Sequence, residues 1–162
     1  MADEIERKFL VKSDHWQSEI VRTRSIKQGY LANTDECSIR VRVSGQDGYI
    51  SVKSAGLDIA RKEYEYPIPL SDADDMLARF CSGNKIEKTR YHIEYMGHEW
   101  EVDVFEGDNQ GLVVAEVELA TVDEEVALPG WIGIEVSGDP RYLNSNLATA
   151  PFNQWKSTGH TA

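Results

Sequence analysis

Charged side chains recur along this chain at every second position, in blocks of one sign. Glu4 and Glu6 stand two apart near the start, with Lys8 two further on. The same spacing gives Arg40 with Arg42, Glu63 with Glu65, Lys88 with Arg90, and Glu116 with Glu118. Residues i and i+2 of a strand share a face, so each pair would set two like charges about 7 Å apart. At an effective dielectric near 20 that repulsion costs about 2 kcal/mol per pair. A surface that is merely solvated intersperses its signs. Repeated like-signed pairs instead describe two surfaces, one acidic and one basic. Hard divalent cations such as Mg²⁺ and Mn²⁺ take carboxylate oxygen and leave room for substrate phosphates. Arginine suits phosphate by bidentate contact and lysine as a point charge. Together the two surfaces describe a site for a metal ion and a polyphosphate.

The elements that must carry these residues are strands. Ile5 to Lys12 reads as the first, followed by a short helix through Trp16 and Ile20 with Ser13 or Asp14 as its cap. Ser25 to Leu31 reads as a second strand. Ser38 to Val43 alternates strictly, with Ser38, Arg40 and Arg42 opposite Ile39, Val41 and Val43, and a turn at 45–48 returns the chain as Tyr49 to Ser54. Arg61, Glu63 and Glu65 alternate with Lys62, Tyr64 and Tyr66 up to Pro67 and Pro69. Ser71, with Asp74 three residues on, predicts the capped start of a helix through Met76, Leu77 and Phe80 that stops at Gly83. Alternation resumes from Ile86 to Tyr95, from Trp100 to Phe105, and from Val113 to Leu119. That makes about seven strands of one signature, and a short strand near Trp131 to Val136 makes eight. Asp139-Pro140 predicts a capped short helix through Tyr142, Leu143 and Leu147. Residues 152–162 read as a mobile tail, polar apart from Phe152 and Trp155. Antiparallel-type strands on short turns with few helices mean a mainly β (α+β) fold, a barrel or a sandwich.

With 162 residues the chain reads as one domain, 1–162, and its net charge of -11 argues against broad nucleic-acid or membrane-surface binding. Cys37 and Cys81 fit no metal-ligand spacing and read as reduced thiols. With no apolar run of about 18 residues and no signal-peptide core, a cytoplasmic protein is expected, as a monomer or homodimer.

The ordered series Glu4-x-Glu6-x-Lys8, Arg40-x-Arg42, Lys53, Arg61-x-Glu63-x-Glu65, Lys88-x-Arg90-Tyr91, Trp100 to Asp103 and Gly111 to Glu118 resembles the CYTH superfamily, the triphosphate tunnel metalloenzymes. The resemblance runs from Glu4 to about Leu147. It implies a closed eight-stranded antiparallel barrel with helices packed outside and a tunnel that binds a triphosphate with Mg²⁺ or Mn²⁺. Within the superfamily the chain is most similar to the short bacterial inorganic triphosphatases, which hydrolyse tripolyphosphate to pyrophosphate and phosphate. Carried over by position, Glu4, Glu6, Glu116 and Glu118 hold metal. Lys8, Arg40, Arg42, Lys53, Lys88 and Arg90 grip phosphate. Lys8, Tyr30, Glu116 and Glu118 are the catalytic set, with Tyr30 positioning Lys8. Arg61, Glu63, Glu65 and Asp103 support the site, as metal ligands or by orienting basic groups.

Two other readings stand beside this one. Class IV adenylyl cyclases, thiamine triphosphatases and RNA triphosphatases share the grip and differ in the organic group they hold. A polyphosphate-binding module would use the tunnel without turnover. His15, His98 and His160 read as surface residues, His92 as a non-catalytic tunnel residue, and Trp16, Trp100 and Trp131 as packing.

Overall fold

The computed structural model describes residues 3–158. The expected surface position of His160 lies outside them. Among the described residues nine strands form, in order, β1 (Asp3–Val11), β2 (Ile20–Asn33), β3 (Cys37–Ser44), β4 (Asp47–Ser54), β5 (Ala60–Ile68), β6 (Lys85–Tyr95), β7 (His98–Phe105), β8 (Val113–Glu118) and β9 (Ile132–Glu135). Hydrogen-bonded neighbours run β5-β4-β3-β2-β6-β7-β8-β1, and β5 pairs β1 to close the ring. The result is an eight-stranded antiparallel barrel, and β9 is a ninth strand outside that ring. The stretch near Trp131 therefore adds to eight strands rather than completing them.

The seam between β1 and β5 explains this. It holds three residue pairs: Asp3 with Lys62, Glu4 with Arg61, and Ile5 with Ala60. Beyond them the edge of β1 is free to take β9, with Phe9 opposite Glu135 and Val11 opposite Ile132. Between the two partners, Glu6 N–H donates to the Ile59 carbonyl at 3.0 Å, and Lys8 N–H donates to Ser137 Oγ at 2.9 Å.

Strand alternation sorts the side chains into two layers. Outward apolar residues of β1, β6, β7 and β8, among them Phe9, Ile93, Trp100, Val102 and Val117, pack with Trp16 and Trp131. All three tryptophans expected to pack are buried in this layer. Outside β2, β3 and β4 lies α1 (Leu70–Phe80), whose Ala73 and Leu77 join Val41 and Cys81. That helix sits close because two strand residues facing it lack a side chain. A Cβ on Gly29 would lie 2.5 Å from the Cβ of Cys81, and one on Gly48 would lie 2.9 Å from that of Ala73. Pro69 occupies the cap position of α1, and no side chain caps it, so Ser71 and Asp74 form no capping box.

Two other elements depart from expectation. β2 begins at Ile20, five residues before the predicted start, directly after a 3-10 turn at His15–Glu19. The predicted helix after Asp139 is two pieces, a 3-10 turn at Pro140–Tyr142 and α2 (Asn144–Leu147), divided by Leu143 in an extended conformation. Asp139 does accept from the Arg141 N–H at 3.0 Å, as a cap should. Phe152–Thr158 is a 3-10 segment whose Phe152 and Trp155 pack with Tyr142. Among the described residues no helix is long and apolar enough to cross a membrane.

Candidate active site in the barrel tunnel

The inward residues of the eight strands line a tunnel, and register decides who faces whom. β1 and β8 set Glu6 opposite Glu118 and Lys8 opposite Glu116. β7 and β8 set Glu101 opposite Glu116. β4 and β5 set Lys53 opposite Glu63 and Ser51 opposite Glu65. Directly opposed residues share a face, so the carboxylates gather on the arc β5-β1-β8-β7. Five of the six predicted phosphate-gripping residues gather on the facing arc, Lys88 and Arg90 on β6, Arg40 and Arg42 on β3, and Lys53 on β4, while Lys8 stands on β1.

The two arcs enclose a central cavity of about 250 Å³. Seven carboxylates line it, Glu4, Glu6, Glu63, Glu65, Glu101, Glu116 and Glu118, against four basic groups, Arg40, Arg42, Lys53 and Arg90, an excess of three negative charges. The structure thus brings the four predicted metal ligands together in one cavity with four of the six predicted phosphate-gripping residues. The other two, Lys8 and Lys88, sit deeper. Lys8 Nζ donates to the Tyr142 carbonyl at 3.0 Å, and Lys88 Nζ donates to Asn144 Oδ1 at 3.0 Å.

Each basic group is held differently. Lys53 bridges Glu4 and Glu6, at 3.4 Å from Glu6. Arg40 pairs with Glu63 at 3.4 Å and Glu65 at 3.2 Å. Arg90 makes a two-pronged pair with buried Asp103, at 2.8 and 2.9 Å, and Lys88 reaches the same carboxylate at 2.8 Å. Among the described residues Arg42 has one hydrogen-bond partner, the neutral Gln28 Oε1 at 2.9 Å. Arg61 donates to the Ser54 and Gly56 carbonyls at the seam. Tyr30 lines a cavity with Lys8, but its hydroxyl accepts from Gln28 Nε2 at 3.4 Å, and the fixed partner of Lys8 is Tyr142.

These neighbours move the titrations. Burial, then repulsion from Glu6, raises the Glu116 carboxyl above the usual range. Burial also raises Glu118, with repulsion from Glu4 and Glu6 added. Glu4 is raised by burial and by Glu63 despite Lys53. Burial pushes Glu6 up, but Lys53, a hydrogen bond with Glu116 and the charge of Lys8 together bring it below the usual range. Burial brings Lys88 down to about 8 and Arg42 down to about 10, the latter also repelled by Arg40 and Arg90. Asp103 is buried too, but Arg90 and Lys88 hold it far below the carboxylate range.

One end of the tunnel is stoppered. Leu10, Tyr30, Ile86, Phe105 and Val114 share their strands' inward parity with the charged residues, and they pack with Tyr142, Leu147 and Trp155 of the C-terminal segment. Asn144 reaches past this apolar plug into the charged cavity. Sequence reasoning missed Asn144, since a four-residue helix folded back from afar leaves no periodic signal. It also left out Gln28 and Glu101. Both had a signal, lying two residues from Tyr30 and from Asp103 on the same strand faces.

The chain matches the model of the CYTH domain over residues 2–146, a span that contains every strand. It is 45% identical over 156 residues to an inorganic triphosphatase of Acetivibrio thermocellus, covering 96% of this chain and 99% of that one. It is 38% identical over 149 residues to an inorganic triphosphatase of Nitrosomonas europaea, covering 90% and 96%. A solved crystal structure of an inorganic triphosphatase aligns with a TM-score of 0.66 at 37% identity, covering 91% of this chain and 98% of that chain. Barrel, register and motif series all lie within the matched span, and the chain belongs to the CYTH domain family.

Proposed function

We propose that this chain works as a single domain and is a metal-dependent inorganic triphosphatase, hydrolysing tripolyphosphate to pyrophosphate and phosphate inside the barrel. The observation that carries this reading is one cavity walled by carboxylates on one arc and by arginine and lysine on the other. Two relatives that carry the same activity in their names, aligned over nearly all of this chain, support a small phosphate compound as substrate.

Glu4, Glu6, Glu116 and Glu118 are the residues that would hold Mg²⁺ or Mn²⁺. The donor set is all carboxylate oxygen, as hard cations require. The excess negative charge of the cavity and the raised Glu4, Glu116 and Glu118 carboxyls mark where positive charge is wanted. When bound, such an ion supplies neutralisation of phosphate charge and activation of water.

The chain's own residues do the rest. Arg40, Arg42, Lys53 and Arg90 take the phosphate oxygens on the facing arc, and Lys8 and Lys88 end the track at the plug. Asp103 positions Arg90 and Lys88, while Glu63 and Glu65 position Arg40. Water attacks a terminal phosphorus and the bridging P–O bond breaks. Pyrophosphate leaves with the bond's electron pair, and the water's proton departs toward the acidic arc. Phosphoryl transfer depends chiefly on such positioning and charge stabilisation, so no covalent nucleophile is needed.

The test is phosphate release from tripolyphosphate with Mg²⁺ or Mn²⁺, run beside ATP and thiamine triphosphate. Activity highest on tripolyphosphate and abolished in Glu6→Gln is expected. An inactive native protein, or cyclic AMP formed from ATP as the main reaction, overturns the reading.

A further inference from the structure

The tunnel's other end is open, and its charge is reversed. Three cavities follow one another along the barrel. On β3, Ser38 and Arg40 line the plugged end, Arg40 and Arg42 the centre, and Arg42 and Ser44 the open mouth. The mouth is a cavity of about 190 Å³ with four arginines in its wall, Arg22, Arg24, Arg42 and Arg90, against two carboxylates, Glu65 and Glu101. Both carboxylates are already engaged, Glu65 by Arg40 at 3.2 Å and Glu101 by Arg90 at 3.5 Å.

Two of the four guanidinium groups have no ion pair among the described residues. Arg24 donates to Ser44 Oγ at 3.2 Å and Arg42 to Gln28, both neutral acceptors. Arg22 leans on His92 Nδ1 at 3.3 Å and on Glu99 at 3.6 Å. His92 is 3% exposed, its Nδ1 lies within reach of Glu99 and Arg22, and its Nε2 has no hydrogen-bond partner among the described residues. Arginines without an ion pair, beside a buried imidazole that donates to an oxyanion when its Nε2 carries the proton, describe an oxyanion site, since a guanidinium fork matches phosphate oxygens.

The geometry points to an outer phosphate subsite at this mouth, built by Arg22, Arg24 and His92, that takes one phosphate group beyond those inside the tunnel. Arg42 and Arg90 line both cavities and join them into one track. The group has two possible sources, a departing orthophosphate or the fourth phosphate of a longer linear chain. This inference extends the triphosphatase reading, but the subsite itself requires no turnover.

The experiment compares the native protein with the double variant Arg22→Gln, Arg24→Gln. Orthophosphate is titrated calorimetrically into chelator-treated protein. At least a ten-fold weaker affinity in the double variant is expected, with Arg22→Lys, Arg24→Lys within about three-fold of native as the folding and charge control. Equal orthophosphate affinity in the native protein and the glutamine variant overturns the subsite. A second arm measures KM for tripolyphosphate and for linear tetraphosphate. A native preference for tetraphosphate that the glutamine variant loses assigns the site to a longer chain. Lost orthophosphate affinity with an unchanged KM ratio assigns it to product. A fall in tripolyphosphate kcat/KM as large as that for tetraphosphate merges these arginines with the main grip and overturns the proposal. A native protein inactive on tripolyphosphate that still binds orthophosphate through Arg22 and Arg24 overturns the enzymatic reading and leaves the subsite standing.

Discussion

Lys88 Nζ and Asp103 Oδ2 lie 2.8 Å apart in the tunnel wall, both side chains sealed from solvent. Arg90 grips the same carboxylate from the neighbouring strand position with two hydrogen bonds. One anion thus sets the position of two cations.

The lysine of this trio is held down to about 8 by burial, which makes it the basic group of the tunnel that discharges first as pH rises. In the proposed function a protonated Lys88 grips phosphate and a neutral one does not. In the free enzyme, kcat/KM for tripolyphosphate is therefore expected to fall on the alkaline side with an apparent pKa near 8. Lys88→Arg should move that limb upward, and Lys88→Ala should lower kcat/KM by about 10–100-fold, the loss of one charge-assisted hydrogen bond. A pH profile of Lys88→Arg that superimposes on the native one refutes the assignment.

Asp103→Asn leaves two buried cations without their shared anion. Removing one partner of a buried ion pair typically costs about 3–5 kcal/mol, and that loss should appear in urea denaturation at neutral pH. The sign with pH follows from the depressed Asp103 carboxyl. Its contribution is present above the ordinary carboxylate value and is lost as pH falls through its folded-state value. The native protein should lose the difference only in strong acid, whereas the variant lacks it throughout.

Glu4, Glu116 and Glu118 run the other way. Because they are raised in the metal-free protein, their contribution is complete below the ordinary carboxylate value and is lost as pH rises through the raised values. Divalent ions and protons then compete for one arc. Calorimetry of Mg²⁺ or Mn²⁺ binding in two buffers of different ionisation heat should show proton release at mildly acidic pH and weaker binding as pH falls. Binding heats that do not depend on the buffer contradict this.

Gln28→Leu removes the fully buried amide to which the partly buried Arg42 donates. A hydrogen bond to a charged group contributes about 1.5–3 kcal/mol. Steady-state kinetics should show a several-fold rise in KM for tripolyphosphate with kcat little changed, since what is lost is substrate grip. An unchanged KM would mean that Gln28 only fills space.

Much of this architecture was legible because period-two alternation is a local property. Arg40 and Arg42 against Val41 and Val43 report their own strand and face without help from distant residues. The first half of β2 did not read as strand, because Val21, Arg22 and Thr23 are all exposed there and no buried face marks a period. Gln28 is polar yet fully buried, so polarity misreports its side of the sheet. The plug was illegible for another reason. Tyr142, Asn144 and Leu147 are set by a return of the chain across the whole barrel, and nothing in their own spacing says what they will meet. Ser71 and Asp74 had the right types for a capping box, but Pro69, with its fixed φ, started the helix first.

The three-pair seam gives the barrel a clasp. Of the residues that fasten β1 to β5, Glu4 also lines the acidic wall, and its partner Arg61 reaches across to the Ser54 and Gly56 carbonyls. Unfastening that clasp therefore removes Glu4 from its companions at the same stroke that it splits the ring. In this molecule the circumference and the chemistry stand or fall together.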